Sequence, residues 1–431
     1  MEEMSIMEQN ITEDTPLTIQ ERLKSFGFEK FKVPPLLCRH PPPATGRDDD
    51  IEKIREILDD VLVKTGYDAD QSKCANRILC GPDNKIGKCL LRLMNRNHKY
   101  KTFLPEFPLL HLRKSKINIL FSAYKDAGIV QLLKFMRNDE HDDWAKLVSI
   151  QHIDMATRHV KRIALALHLA FLISFTQNLN NSEQQELISD LETDEYAVTS
   201  KKWSGQFTEY LAYGSARNAT FALHVDMMRH CDDIVSIAFA ERLGGKPGYN
   251  LLLAAVKSSL LFTFVNGATS YAPYCVLLLH SHYTAGHFHQ CMKQTLYSTP
   301  LKNSNRNFSS DTKREMDHID VLKGFRSGSN VDSVTCRMSL IDSLNETRQN
   351  TDSKLQQSQD NDKLGMDVSE VDLNHIYPVT SLILRRSALS LEESPTPCNI
   401  YTKVPLLLPP TILDSASNDV GRYLLERYLR N

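Results

Sequence analysis

The spacing of apolar residues predicts that most of this chain is helical. One apolar stripe near the start has the spacing of a single helix face and comprises Ile51, Ile54, Ile57, Leu58, Val61 and Leu62. The same period runs from about Lys116 to Leu179 and returns in residues 182–198, 221–243 and 249–265. The alternation that is typical of strands is scarce. The pattern therefore predicts a mainly α fold.

Glycine and proline predict where these helices begin and end. Residues 81–84 (GPDN) predict a turn that is followed by an amphipathic helix. Two prolines bracket residues 103–112 (FLPEFPLLHL), which we expect to be extended, as an edge strand. Residues 123–138 predict one helix in which Gly128 is a weak point, and the GGKPG sequence at 244–248 ends the helix before it.

Composition places the chain among globular proteins without a strong overall charge. Its 431 residues are 41% hydrophobic and 24% charged, and the net charge of −2 provides no global attraction for nucleic acid or an acidic membrane. Nine cysteines, without a C-x-x-C pair, and a polar start at Met1 predict a reduced compartment, either nucleus or cytoplasm, and not secretion. The strongest apolar run, Ile163–Phe175, is too short to span a bilayer, so we expect a core helix and no membrane partner.

The region from Asp83 to Lys116 is the one stretch with a local excess of positive charge. This stretch contains nine lysines and arginines but only two acidic residues, Asp83 and Glu106. Tyr100 and Phe103 lie among the basic residues in the sequence. The candidate nucleic-acid-binding residues are Lys85, Lys88, Arg92, Arg96, Arg113, Lys114 and Lys116. Clustered cations with interleaved aromatics are typical of a nucleic-acid surface. A solvated helix face has the same composition, so both interpretations remain open.

Two other motifs do not predict ligand sites. Residues 81–89 (GPDNKIGKC) have five residues between the first glycine and the Gly-Lys pair, where a phosphate-binding loop has four, so we expect no nucleotide partner. The stretch HSHYTAGHFHQC contains His280, His282, His287, His289 and Cys291. H-x-H pairs share a face only in a strand, whereas this stretch has a helical pattern. We therefore interpret these side chains as polar groups of a packed seam rather than zinc ligands.

Two separate groups of carboxylates could meet in the fold. Asp68 and Asp70 lie in GYDADQ, and Asp311 precedes Glu315 by four residues, which places that pair on one helix face. Converging carboxylates can bind two Mg²⁺ ions and activate water against a phosphodiester. Acidic residues beside turns are more often helix caps, so the residues alone leave both interpretations open.

Several stretches resemble a family of uncharacterised, transposon-derived proteins of invertebrates and fungi with a ribonuclease-H-like, DDE-type transposase core. The clearest are YDADQSKCANRI, LPEFPLLHLRKSKINILFSAYKDAGI, NATFALHVDMMRHCDDIVSIAFAERLGG and NFSSDTKREMDHIDVLKGFRSGS. The resemblance covers most of residues 60–420. It implies a small α/β core beside a large helical body, and DNA as a partner.

The resemblance also implies a set of site residues. Asp70 and Gln71 match the family's Gly-Asp-Gln element, with Ala69 in place of the glycine, and His111 matches a histidine further on. Asp311 and Glu315 match its Asp-x-x-x-Glu element, with His318 in place of an asparagine. The implied catalytic residues are thus Asp70, Asp311 and Glu315, and the implied Mg²⁺ ligands are Asp70 and Glu315.

The chain departs from this family at its start. A DDE core needs an aspartate on its first strand, well before the Asp-Gln element, and only about seventy residues precede Asp70 here. Asp48, Asp49 and Asp50 lie in a polar run rather than in an apolar strand. Without that ligand two metal ions could not be held with catalytic accuracy. We therefore expect a truncated and catalytically inactive relative.

The expected architecture is mainly α, with a large helical body and a small, incomplete α/β (ribonuclease-H-like) remnant. The predicted segments are a disordered tail (1–50), a partial α/β core segment with the basic stretch (51–120), the helical body (121–300), a helix that returns to the core (301–340), a polar linker (341–370) and a C-terminal segment (371–431).

Three functions are compatible with the sequence. The leading expectation is a transposon-derived protein with residual nucleic-acid binding, DNA being the expected partner, and no turnover. The second is a metal-dependent nuclease or transposase whose missing aspartate comes from another chain, through self-association. The third is a helical scaffold for protein interactions.

Overall fold

The structure, a computed structural model, describes residues 51–65, 78–80, 84–105, 108–137, 153–193, 200–266, 271–283, 299–300, 307–308, 370–386, 389–400 and 402–406. The predicted tail and nearly all of the predicted segments 301–340 and 341–370 lie outside these residues.

The mainly α prediction is confirmed. The described residues form eleven α-helices: α1 (Ile51–Thr65), α2 (Asn84–Arg96), α3 (Leu109–Ala123), α4 (Ile129–Arg137), α5 (Ile153–Asn178), α6 (Asn181–Thr193), α7 (Lys201–Arg217), α8 (Ala219–Leu243), α9 (Gly245–Val265), α10 (Ala272–Tyr283) and α11 (Glu370–Arg385). The strands are β1 (Ile78–Cys80), β2 (Phe103–Pro105), β3 (Thr299–Pro300) and β4 (Asn307–Phe308). β1 pairs with β2 in parallel, and β3 pairs with β4 antiparallel. Within the described ranges these two short pairs are all the sheet there is, and no α/β remnant is seen.

In residues 78–105, α2 lies along the chain between two strands that pair with each other. β1 leads through α2 and a 3-10 helix (His98–Thr102) to β2, with Ile78 opposite Phe103. The hydrophobic core around them contains Ile54 and Leu58 of α1, Leu90 of α2 and Phe103, which are all buried. The helix predicted after the turn at 81–84 is therefore present, and its apolar face is covered by α1.

The extended structure predicted for residues 103–112 is wrong over its second half. β2 ends at Pro105, and α3 begins at Leu109. Pro108 occupies the cap position, where its missing N–H costs nothing, and its carbonyl accepts the first helical bond from Leu112 at 2.9 Å. Proline thus starts a helix here.

The single helix predicted over residues 123–138 is also wrong. α3 ends at Ala123, and a turn over residues 124–128 leads into α4. Gly128 has φ 111°, a value that side chains other than glycine rarely adopt, so this residue is a break. The break redirects the chain between two helices of the main core.

α8 lies at the centre of the helical body and packs against α3, α5, α7 and α9. Its N-cap is Asn218, whose side-chain oxygen accepts hydrogen bonds from the N–H groups of Thr220 and Phe221 at 2.9 and 3.0 Å. It ends at Gly244, which has φ 63°. The predicted stop is confirmed, but α9 begins directly afterwards at Gly245.

The described C-terminal part consists of one helix and an irregular segment. α11 runs through Pro378 and packs against α4 and α5, burying Ile376, Val379 and Ile383. Residues 389–400 and 402–406, which we name the C-terminal strap, then cross the helical body. Ile400 of the strap is fully covered, and its N–H bonds to the carbonyl of Ala127 at 3.2 Å.

Two helices, α5 and residues 248–265 of α9, are long and apolar enough to cross a membrane by length and composition. In this structure 61% and 44% of their apolar windows are buried inside the protein. Ile163, Leu167 and Phe171 of α5 have no exposed surface. Buried core helices of globular proteins have the same length and composition.

Candidate nucleic-acid interface

The basic segment found in the sequence divides into an outer and an inner part. The outer part is α2 with the 3-10 helix, where residues 84–102 contain six lysines or arginines and no aspartate or glutamate. The inner part is α3, where Arg113 and Lys116 are buried. The outer part contains the exposed basic residues, and we name it the basic face.

One side of α2 carries the positive charge. Positions 85, 88, 92 and 96 follow at spacings of three and four, which is the spacing of one helix face. Arg92 and Arg96 are exposed, and no described carboxylate lies within ion-pair distance of either. The side chains of Lys85 and Lys88 lie outside the described part. Buried Cys89, Leu90 and Leu93 fix the rotation of α2 and keep this side outward.

The 3-10 helix is attached to α1 through one carboxylate. Asp59 accepts the Nζ of Lys99 at 2.8 Å and the hydroxyl of Tyr100 at 2.9 Å. Partial burial acts to raise the pKa of Asp59, but these hydrogen bonds outweigh it and hold the pKa below its ordinary value. Lys99 is therefore paired, while Lys101 beside it is exposed.

The two aromatic residues of this region are part of the core. Tyr100 is 1% exposed and Phe103 has no exposed surface. Neither ring can stack on a nucleotide base, so they do not interleave with the cations as the sequence predicted. The chemistry that the basic face offers is charge, which suits phosphate rather than bases.

Arg113 is not part of the basic face, which corrects the sequence prediction. Its guanidinium is 3% exposed and lies between Asp154 of α5 at 3.0 Å and Glu241 of α8 at 3.3 Å. Glu241 is buried as well. The three residues tie α3, α5 and α8 together, and Arg113 cannot reach a phosphate without breaking this contact.

Lys116 is likewise removed from the surface. It is 3% exposed, and its ammonium donates hydrogen bonds to Ser259 Oγ and, at 2.8 Å, to Thr263 Oγ1 of α9. Burial lowers the pKa of Lys116, against the attraction of Cys275 and Asp233. Its two hydroxyl partners and this nearby carboxylate make it an internal structural cation.

Asp233 and His230 of α8 complete this internal polar centre. Burial raises the pKa of Asp233 to about 6, although Lys116 and a hydrogen bond from Ser258 act in the opposite direction. His230 Nδ1 lies 2.7 Å from the hydroxyl of Tyr124, and burial with the positive charge of Lys116 lowers its pKa to about 4. These shifts arise from burial among helices, and they need no ligand.

The burial of Arg113 and Lys116 could have been predicted from their positions on the buried face of α3. Residues 109, 113, 116 and 120 follow at spacings of four, three and four, so Arg113 and Lys116 are in phase with the buried Leu109 and Leu120. Ser259 and Thr263 likewise lie on the same helix face as the buried Leu252 and Val256 of α9. Polar residues on the buried faces of both α3 and α9 predict a contact between these helices inside the protein. A count of charged residues along the sequence does not reveal this contact.

The remaining candidates give no assembled site. Lys114 and His111 are half-buried on α3. Asp70, Asp311 and Glu315, the implied catalytic and Mg²⁺-binding residues, lie outside the described residues, as does Gln71. His280 is half-buried on α10, which also contains His282, and the remaining members of the histidine-rich stretch lie outside the described residues. Within the described ranges, no group of three or more histidine, cysteine, aspartate or glutamate side chains could hold a metal ion.

No protein-family model, curated protein or solved structure matches this chain.

Proposed function

We propose that this chain is a transposon-derived protein that binds the phosphate backbone of nucleic acid through its basic face and does not cut it. The observation that supports binding is the run of residues 84–102, which has six basic and no acidic residues in α2 and the 3-10 helix. Arg92, Arg96 and Lys101 of this run are exposed. The sequence resemblance described above supports the transposon origin.

The geometry of α2 fits a nucleic-acid strand. Its first and last basic positions, 85 and 96, are eleven residue steps apart, which is about 16 Å at 1.5 Å per residue. A duplex strand has one phosphate per 3.4 Å of axis, so this length covers about five phosphates. Because Arg92 and Arg96 are exposed and the aromatic rings are buried, the contact is electrostatic and is expected to have little sequence preference.

Salt dependence tests the binding. The full chain is titrated into a fluorescently labelled duplex, and the anisotropy is followed at several salt concentrations from about 50 to about 200 mM. Each neutralised phosphate contributes about −0.9 to the slope of log affinity against log salt, so we expect a slope of about −3 or steeper. The scaffold alternative predicts no binding at any of these concentrations.

Incubation with a divalent cation tests the proposed absence of turnover. The chain is incubated with labelled duplex and Mg²⁺ or Mn²⁺, and we expect the duplex to stay intact. Cleavage that Glu315→Gln abolishes would instead establish the second alternative, a nuclease completed by another copy of the chain or by a partner. Cleavage that survives Glu315→Gln would indicate a contaminating nuclease.

A further inference from the structure

The C-terminal strap carries two hydroxyl residues that are each followed by proline. The sequence of residues 394–397 is Ser-Pro-Thr-Pro. A proline disfavours the helical conformation in the residue before it and has no N–H of its own. The residue before each proline therefore avoids the helical conformation. In the structure Pro395 and Thr396 form a bend that lies outside any helix or strand.

Anchors on both sides leave the middle of this sequence as an exposed tip. On one side Ser394 donates its N–H to Arg217 O at 3.0 Å and accepts the N–H of Ala219 at 2.8 Å. On the other side the N–H of Cys398 bonds to Thr220 Oγ1 at 2.9 Å. Between the anchors, Pro395 and Thr396 are exposed. The structure thus presents a short segment of strap to solvent.

The two hydroxyl groups differ in access. Ser394 is half-buried, its backbone is bonded in both directions, and its hydroxyl donates to the carbonyl of Thr396 at 3.3 Å. In the described hydrogen bonds Thr396 takes part only through its carbonyl, which also accepts a hydrogen bond from Cys398 Sγ at 3.7 Å. The hydroxyl of Thr396 is therefore the accessible acceptor of the pair.

We propose that Thr396 is a phosphorylation site for a proline-directed serine/threonine kinase. In the reaction the Oγ1 of Thr396 forms a bond to the γ-phosphorus of ATP, the bond from that phosphorus to the β–γ bridging oxygen breaks, and ADP leaves. The hydroxyl proton passes to the base of the kinase. Pro397 supplies the proline that such kinases require directly after the acceptor.

The modification would change the local charge of the strap. A phosphate carries about −1.5 to −2 charge at neutral pH. It would join Glu392 and Glu393, which are exposed in the same segment, and Glu393 already pairs with Arg217 at 3.3 Å. The basic face lies on α2 and the 3-10 helix, which do not include the strap, so this inference does not rest on the proposed nucleic-acid contact.

Phosphopeptide mapping tests the site. The full chain is incubated with MgATP and a purified proline-directed kinase, and the tryptic peptide 387–403 is sequenced by mass spectrometry. We expect phosphate on Thr396. Thr396→Val, which keeps the shape of the side chain, should abolish the signal, whereas Ser394→Ala should retain it. Pro397→Ala should lower it at least about tenfold, and circular dichroism checks that each variant is folded.

Two results would overturn the proposal. One is phosphate on Ser394 with Thr396 unmodified. The other is a folded chain without phosphate in peptide 387–403 while a synthetic peptide of the same sequence is modified, because that result would show that the docked strap does not present its hydroxyl. Thr-Pro also occurs at Thr15 and Thr299, so only phosphate located within this peptide counts.

Discussion

Arg113 and Lys116 show that the charge of a residue does not decide its place in this molecule. Both lie among the leucines of α3, and both find partners on neighbouring helices. A buried ion pair adds little net stability compared with an apolar pair, but removal of one partner leaves a charge in an environment of low polarity. The internal cations therefore hold the relative positions of α3, α8 and α9.

Replacement of Arg113 tests this role. Arg113→Met removes the cation that lies 3.3 Å from buried Glu241, and we expect the free energy of unfolding to fall by about 3 kcal/mol. Urea unfolding followed by circular dichroism measures the change. Arg158→Met, which replaces an exposed arginine of α5, is the matched control and should change stability by less than about 0.5 kcal/mol. Equal losses in the two variants would contradict the internal role.

Asp233 gives the stability a pH dependence with an uncommon sign. Its pKa rises from 3.8 to about 6 on folding, so the folded chain binds the proton more tightly than the unfolded chain. The stability that protonated Asp233 contributes is fully present below about pH 4 and is lost as the pH rises through about 6. Between about pH 4 and about pH 8 the loss from this group is about 2 kcal/mol.

Asp233→Asn removes this dependence. We expect the fall in unfolding free energy between about pH 4 and about pH 8 to be smaller in the variant than in the wild type by about 2 kcal/mol. Asp126→Asn, which changes an exposed aspartate in the turn after α3, should leave the pH profile as it is in the wild type. Parallel profiles for the wild type and Asp233→Asn would show that the carboxyl does not titrate abnormally.

At the scale of the elements, the two glycines of α7 have opposite surroundings. A Cβ at Gly214 would lie 2.5 Å from ring atoms of Phe221, and that ring is held by Phe171 and Tyr210 at centroid distances of 5.1 and 5.6 Å. A Cβ at Gly205 would meet nothing within 4 Å. The first glycine allows α7 and α8 to approach each other, and the second has no such role.

Alanine at each position distinguishes the two. Gly214→Ala should lower the unfolding free energy by about 1 to 3 kcal/mol because the core around Phe221 is overpacked. Gly205→Ala should raise it by about 0.5 to 1 kcal/mol because alanine favours the helix. Thermal and urea unfolding of the two variants measure both signs. Stabilisation by both substitutions would mean that α7 and α8 are not in close contact at Gly214.

The sequence predicted the helices better than their ends. Long apolar stripes, as in α1 and α5, indicate a helix whatever surrounds them. Pro108 and Gly128 were misinterpreted because proline fits both an extended segment and the first turn of a helix, and because glycine fits both a weak helix and a break. Which alternative forms depends on the packing of the neighbouring helices, and the local sequence does not contain that information.

The candidate interface was predicted only in part, because its division also depends on how neighbouring helices pack. The excess of positive charge was visible, but its division was not, because Arg113 and Lys116 become internal only when α5, α8 and α9 supply Asp154, Glu241, Ser259 and Thr263. The placement of Arg92 and Arg96 followed from the apolar phase of α2. A helical phase test on α3 would have separated the two sets.

At the scale of the whole molecule, a nearly neutral chain carries one run of basic residues without acidic ones, in α2 and the 3-10 helix. The net charge is −2, yet the basic face has six cations and no anions in nineteen consecutive residues. The helical body uses its own buried cations for internal contacts. We therefore expect affinity for a polyanion to come from α2 and the 3-10 helix and to be sensitive to salt.

The most direct test of this account compares salt dependence in two double variants. Arg92→Gln/Arg96→Gln removes two charges from the basic face, and Arg158→Gln/Arg385→Gln removes two exposed charges from the helical body. We predict that the slope of log affinity against log salt for a labelled duplex becomes shallower by about two in the first variant and stays at the wild-type value in the second. Equal slopes in the wild type and the first variant, or an equal change in both variants, would contradict the assignment of phosphate binding to α2.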